Sequence, residues 1–227
     1  MKALIGIVVS LLCSTCVIGQ TCSVDSGFWG NRFHIYYEQR HLVKLFRNLN
    51  ELPPNVRARL DEYLQARLGC AFASRLHFDE GQWLDMKRLQ TEFPSLYDEN
   101  LHLGTYDLLF RFSDPAKGLK YFYAKLALND DGSINEDIKL PNIGRDPSKA
   151  KIISCKDAIE IAVTHGSPRD RICPWFEYSM EHDSFMWTLT DSQRTDPGGF
   201  GKGTYKKIDV NANTGEILRI YEETIAL

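Results

Sequence analysis

Two strand–turn–strand segments set the tightest limit on what this chain can fold into. Leu126, Leu128 and Asn129 run into Asp130-Asp131-Gly132-Ser133-Ile134, and Ile208, Val210 and Asn211 run into Thr214-Gly215-Glu216-Ile217, 82 or 83 residues later. Alternating apolar residues that break at an Asx-rich turn closed by glycine mark an antiparallel hairpin, because glycine adopts the tight-turn dihedrals without steric cost. A chain that closes two segments this way builds antiparallel sheet twice. The first turn also looks like part of a calcium loop. With Gly132 at the sixth place, however, the first and twelfth ligand positions fall on Ala127 and Ile138, which carry no side-chain oxygen.

What precedes each hairpin repeats as well. Val56, Leu60, Leu64 and Leu68 recur at every fourth position, one face of a helix, and Gly69 follows as a C-terminal cap. Leu42, Leu45, Phe46 and Leu49 form a similar stripe, which predicts another helix over residues 37–49. In the second half Ser154 stands three residues before Asp157, a capping-box spacing, and Ala158, Ile159, Ala162 and Val163 make an apolar face that Gly166 closes. Strands are expected at residues 71–78, 105–112, 120–129 and 133–140, and again at 175–180, 184–190, 205–211 and 216–221. Glu181-His182-Asp183 reads as a turn between two of them. The fold class is therefore α+β, as two tandem helix-on-antiparallel-sheet units over residues 20–145, with a leading helix, and 150–227.

Residues 1–19 read as an address. Lys2 precedes an apolar run of ten, residues 3–12, too short to cross a bilayer but suited to a signal-peptide core, with cleavage near Gly19. The expected product is secreted or periplasmic, with no membrane span elsewhere. Lipidation at Cys13, Cys16 or Cys22 is a second reading, although Thr15 and Thr21 stand where a small residue is needed. After cleavage Cys22, Cys70, Cys155 and Cys173 remain. An even number in an exported chain reads as two disulfides, expected as Cys22–Cys70 and Cys155–Cys173 because each pair lies within one half.

The helix opening Ser154-Cys155-Lys156-Asp157-Ala158-Ile159, together with the closing run from Tyr205 through Ile208, Val210, Thr214-Gly215-Glu216 to Leu218, resembles the PepSY domain over about residues 150–225. The first half shares only the shape of that pattern, through the repeat. The resemblance implies a cystatin-like arrangement of helix against antiparallel sheet. It also implies a non-catalytic role, as a propeptide that inhibits or chaperones a secreted metalloprotease or as a binding module of the cell envelope. The cysteines and the Gly/Asp-rich insertion at residues 191–203 depart from the family. The Gln-x-Val-x-Gly hairpin of cystatin inhibitors is absent, so inhibition of cysteine proteases by that route is not expected.

No stretch spells out a reaction. The chain carries 27 basic and 30 acidic residues, a net charge of -3, without the basic excess of a protein that neutralises phosphates, so a nucleic-acid partner is not expected. None of the six histidines forms a metal-binding spacing, and no metal or other cofactor is expected. Gly198 to Thr204 imitates a phosphate loop but fails it. Lys202 is followed by Gly203, and the segment leads into a strand where a helix N-terminus would be needed. It reads instead as a glycine-rich mobile loop, and a binding role there is the second reading, with Phe200, Lys202 and Tyr205 as candidate contacts.

Cys155 is the one enzymatic candidate, since a helix N-terminus favours thiolate. A nucleophile needs a base in reach. His165 lies ten residues down the same helix, roughly 15 Å away at 1.5 Å per residue, leaving only His182 in a neighbouring turn. No catalytic residue is assigned. The reading is an exported, non-enzymatic binding or regulatory protein that takes a protein or peptide on its open sheet face or sheet edge, with protease modulation implied by the resemblance. The alternatives are a thiol-dependent envelope enzyme using Cys155 and an assembly component that joins through sheet edges. The oligomeric state does not follow from the sequence.

Overall fold

The computed structural model describes residues 24–26, 37–100, 104–191 and 203–225. These form an α+β fold with two sheets. The first is built from β1 (Val24–Ser26), β2 (Val43–Phe46), β3 (His77–Leu84), β4 (Tyr106–Asp114), β5 (Leu119–Leu128) and β6 (Ile134–Glu136), in the order β1-β5-β4-β3-β2, with β6 also on β5. β1 runs parallel to β5, and every other pairing is antiparallel. The second sheet is an antiparallel meander, β10-β9-β8-β7, from β7 (Ile172–Ser179), β8 (Ser184–Asp191), β9 (Gly203–Asn211) and β10 (Ile217–Ile225).

The repeat read from the hairpins is present in the topology. Helix α1 (Pro54–Ala73) leads to β3 through β6, and helix α4 (Cys155–Thr164) leads to β7 through β10. The closing turns share their hydrogen bonds. Asn129 N–H donates to the Ser133 carbonyl at 2.9 Å, as Asn211 N–H donates to that of Glu216 at 2.8 Å. Gly132 and Gly215 take φ of +84° and +81°, the left-handed conformation that makes both turns glycine-dependent.

Helix α4 opens as its sequence dictates. Ser154 Oγ accepts from Asp157 N–H at 3.1 Å, and the Asp157 carboxylate accepts from Ser154 N–H at 3.2 Å, a closed capping box. At the other end Gly166 has φ +86°, and Lys206 Nζ donates to the last-turn carbonyl of His165 at 2.6 Å.

Three expectations are corrected. Residues 71–76 are not strand, and β3 begins only at His77: α1 resumes after a break at Gly69 (φ +69°) and continues to Ala73. Phe72, four residues beyond Leu68, keeps to the buried face and packs edge-on to Phe112 at 5.3 Å, so burial carries the helix past its glycine. Residues 37–49 are not one helix: a 3-10 turn (Tyr37–Leu42) gives way to β2. The Phe46 ring stacks on Phe78 and covers Gly81, where an added Cβ would stand 2.3 Å from the ring, and β3 supplies the backbone bonds that a short exposed helix would lack. The strand at 133–140 shortens to β6. Helices α2 (Met86–Glu92) and α3 (Pro94–Asn100) have no counterpart in the sequence reading.

One core joins the two units. Phe112 and Phe122 of the first sheet meet Phe185 and Phe176 of the second at 5.6 and 5.5 Å between ring centres, and Phe176 lies 4.7 Å from Trp187. The buried Trp187 indole donates to the Ile153 carbonyl, which ties the start of α4 to the sheet beneath it.

Candidate functional site

Strand alternation gives the second sheet two chemically distinct faces. Phe176, Phe185, Trp187, Ile208 and Val210 point into the core. The opposite face carries Cys173, Trp175 and Glu177 from β7, Thr188 from β8, Tyr205, Lys207 and Asp209 from β9, and Arg219, Tyr221 and Glu223 from β10. One cross-strand row reads Trp175, Thr188, Asp209, Arg219. Asp209 is fully buried although it sits on the non-core side. Its carboxylate accepts from Arg219 Nε and from the Thr188 hydroxyl, the latter at 2.9 Å. Glu177 Oε1 lies 3.0 Å from the same hydroxyl, so the single Thr188 proton serves one carboxylate at a time.

The Arg219 guanidinium also lies 4.4 Å from the Tyr221 ring centre, a cation–π contact. The Asp209 hydrogen bond holds Arg219 above the usual arginine range. For Lys207, burial pulls its ammonium down, but the Glu223 carboxylate that it pairs with outweighs this and raises it. Tyr205 stands on this face, half-buried, opposite Glu223. Phe200 and Lys202 lie outside the described residues. The result is a platform of mixed chemistry. Trp175, 45% exposed, offers apolar contact at one side, and a fixed Arg219–Asp209 pair offers hydrogen-bonding edges at the other.

A second polar cluster lies at the seam between the units. Arg67 of α1 has its side chain 14% exposed, and its Nη2 donates to the Leu140 carbonyl at 2.9 Å. The same atom lies 3.4 Å from Asp137 and 3.6 Å from Asp183. Asp183, in the β7–β8 turn with φ +43°, accepts from Lys149 Nζ at 2.5 Å, from the Tyr178 hydroxyl at 2.9 Å and from Asn142 N–H at 3.1 Å. Burial works to raise the Asp183 carboxyl, yet the bonds from Lys149, Tyr178 and Asn142 together hold it below the ordinary carboxylate value. Tyr178 is pushed up to about 12, by burial first and then by Asp183. A phenol that keeps its proton this firmly is not a base, and the cations here are matched by carboxylates. The cluster is a clamp.

The cysteines depart from expectation. Cys155 is fully buried and disulfide-bonded, whereas Cys70 and Cys173 are thiols. Neither Cys22–Cys70 nor Cys155–Cys173 is therefore formed. The cause lies in strand direction: Cys173 projects from β7 on the non-core face, opposite Thr190, while Cys155 opens α4 inside the core. Cys22 lies outside the described residues. A disulfide-bonded, buried sulfur at Cys155 does not act as a nucleophile. Non-reducing peptide mapping should recover the Cys155 peptide in a cross-link, and alkylation without reduction should label Cys70 and Cys173. Recovery of a Cys155–Cys173 peptide would overturn this assignment.

Among the described residues no three His, Cys, Asp or Glu side chains converge as a metal site would require, and no helix is long and apolar enough to cross a membrane. Sequence reasoning singled out Tyr205 on the platform but missed Glu177, Asp209 and Arg219. The outward positions of β9 are legible from alternation, yet their cross-strand neighbours follow only from register. In comparisons with known proteins the chain matches no family model, no curated protein and no solved structure.

Proposed function

We propose that this chain is an exported binding protein, non-enzymatic, whose ligand is a protein or peptide segment laid across the outer face of the second sheet. The observation that carries the reading is the make-up of that face. An exposed tryptophan, two tyrosines and a guanidinium fixed by a buried carboxylate are residue types that supply most of the energy at protein interfaces. Tyr205 stands on this platform and is also one of the contacts that the binding-loop reading names. A half-cystine at Cys155 supports an oxidising compartment, in line with removal of residues 1–19 as a signal peptide. The PepSY resemblance belongs to the same proposal, and the helix followed by a four-stranded meander over residues 155–225 is in keeping with it.

The test is selection of peptides from a displayed random library against the purified protein. Enriched peptides should bind Trp175→Ala at least about tenfold more weakly, the loss of one aromatic anchor, and Tyr205→Ala more weakly as well. Trp83→Ala, on the first sheet, should bind as the parent does. Equal binding by all three variants, or no enrichment, would count against the platform.

A further inference from the structure

The outer edge of the second sheet, β10, presents free backbone beside the platform residues that it carries. β10 is the last strand in its order, and among the described residues it pairs only with β9. Its backbone therefore offers a row of donors and acceptors to another strand. Arg219, Ile220, Glu222 and Glu223 are all exposed there. Residues Arg219, Tyr221 and Glu223 share the outer face.

Antiparallel pairing of β10 with an identical strand about a two-fold axis places residues opposite one another in sums of constant index. With the axis at Tyr221, Arg219 faces the second copy's Glu223, Tyr221 faces itself, and Ile220 faces Glu222. Moving the axis to residue 220 sets Arg219 against Tyr221, and moving it to 222 sets Tyr221 against Glu223. The register at 221 is the one of these three that pairs opposite charges, and it does so twice.

Within each chain Asp209 already holds Arg219, and Lys207 holds Glu223. Across the joined edges the charges then alternate as Asp209, Arg219, the second copy's Glu223 and the second copy's Lys207. Both bridging side chains keep room for a second partner, since Arg219 is 61% and Glu223 45% exposed. We propose that β10 is a homodimer edge: two copies pair antiparallel about Tyr221 and fuse their four-stranded sheets into one of eight strands. The bulge between Ile217 and Arg219 ends the regular ladder on one side, so the contact is short and the dimer is reversible and concentration-dependent.

Sedimentation equilibrium over a wide concentration range tests this, with the whole chain. The parent protein should move from one to two chain masses. Glu223→Arg should weaken the dimer by about tenfold or more, because two like-charge contacts replace two opposite-charge ones. Glu222→Arg makes the same change of charge on the other face and should leave the dimer in place. Cysteine placement gives a second readout that does not depend on the Lys207 pairing. Under mild oxidation Tyr221→Cys should form a covalent dimer above the background of Cys70 and Cys173, because directly opposed antiparallel residues lie within disulfide reach. Ile220→Cys and Glu222→Cys should not. A parent protein that stays at one chain mass, or cross-linking equal at all three positions, would overturn the proposal. Pairing of this edge with a strand of another protein would show as a parent monomer whose edge variants lose peptide binding while Trp175→Ala keeps it.

Discussion

Replacing Gly144 by alanine should lower the melting temperature by roughly 6–12 °C, because overpacking against backbone costs about 3 kcal/mol and each kcal/mol is worth about 2–4 °C in a chain this size. The cause is local and geometric. Helix α1 breaks at Gly69, so the Arg67 carbonyl loses its partner in the next turn. Gly144 N–H supplies the replacement, donating to that carbonyl at 2.9 Å. This brings the connecting segment so close that an alanine Cβ at 144 would stand 2.0 Å from the Ala66 carbonyl oxygen and 3.0 Å from its carbon. The obstructing atoms are backbone and cannot rotate away. Either the segment lifts and the hydrogen bond is lost, or the helix end distorts. Arg145→Ala, at the exposed neighbour, should melt as the parent does, and an unchanged melting temperature for Gly144→Ala would show that the segment shifts without cost.

The second large effect falls on the seam. Arg67→Met should lose roughly 1–3 kcal/mol in urea unfolding at pH 7, since the change leaves the Leu140 carbonyl without its donor and takes the nearby cation from two partly exposed carboxylates. The dependence on pH identifies the cause. Asp183 is held below the ordinary carboxylate value, so its contribution is complete at neutral pH and is lost as pH falls through its lowered folded-state value. Asp137 is displaced the other way. Burial raises its carboxyl against the hydrogen bond from Ile138 N–H, and the Asp183 charge adds to the rise, so protonation favours its folded state. Both effects make the Arg67 charge matter less in acid. The gap in stability between parent and Arg67→Met should therefore narrow as pH falls, first through the raised Asp137 value and then, below about pH 4, through the lowered Asp183 value. It should not close, because the bond to the Leu140 carbonyl is lost at every pH. A gap that stays constant would mean that Arg67 acts by packing alone.

How much of this could be read beforehand depends on how far apart the interacting residues lie. The capping box at Ser154 and Asp157 and the Asx-Gly hairpins are complete within a few residues, and each appears where the sequence places it. The α1 stripe is legible to Leu68. Its extension through Phe72 is not, because the reason for it is a ring contact with Phe112, forty residues away. The stripe at residues 42–49 has a helical period, yet Phe46 is spent on covering Gly81, a partner that only the β2–β3 register supplies. The cysteines show the limit most sharply. Proximity along the chain pairs Cys155 with Cys173, whereas strand direction puts the two on opposite sides of the second sheet.

The amino-acid sequence by itself determined the α+β class, the doubled helix-and-hairpin order and the ends of α4, since turn dihedrals, caps and apolar periodicity act over one or two turns of chain. The tertiary structure alone decided which polar groups meet. Asp183 gains its lysine and arginine from elements distant in sequence, and the nearer pairs Asp209–Arg219 and Asp183–Tyr178 follow from strand register and turn geometry, because a buried charge must find its partners in space.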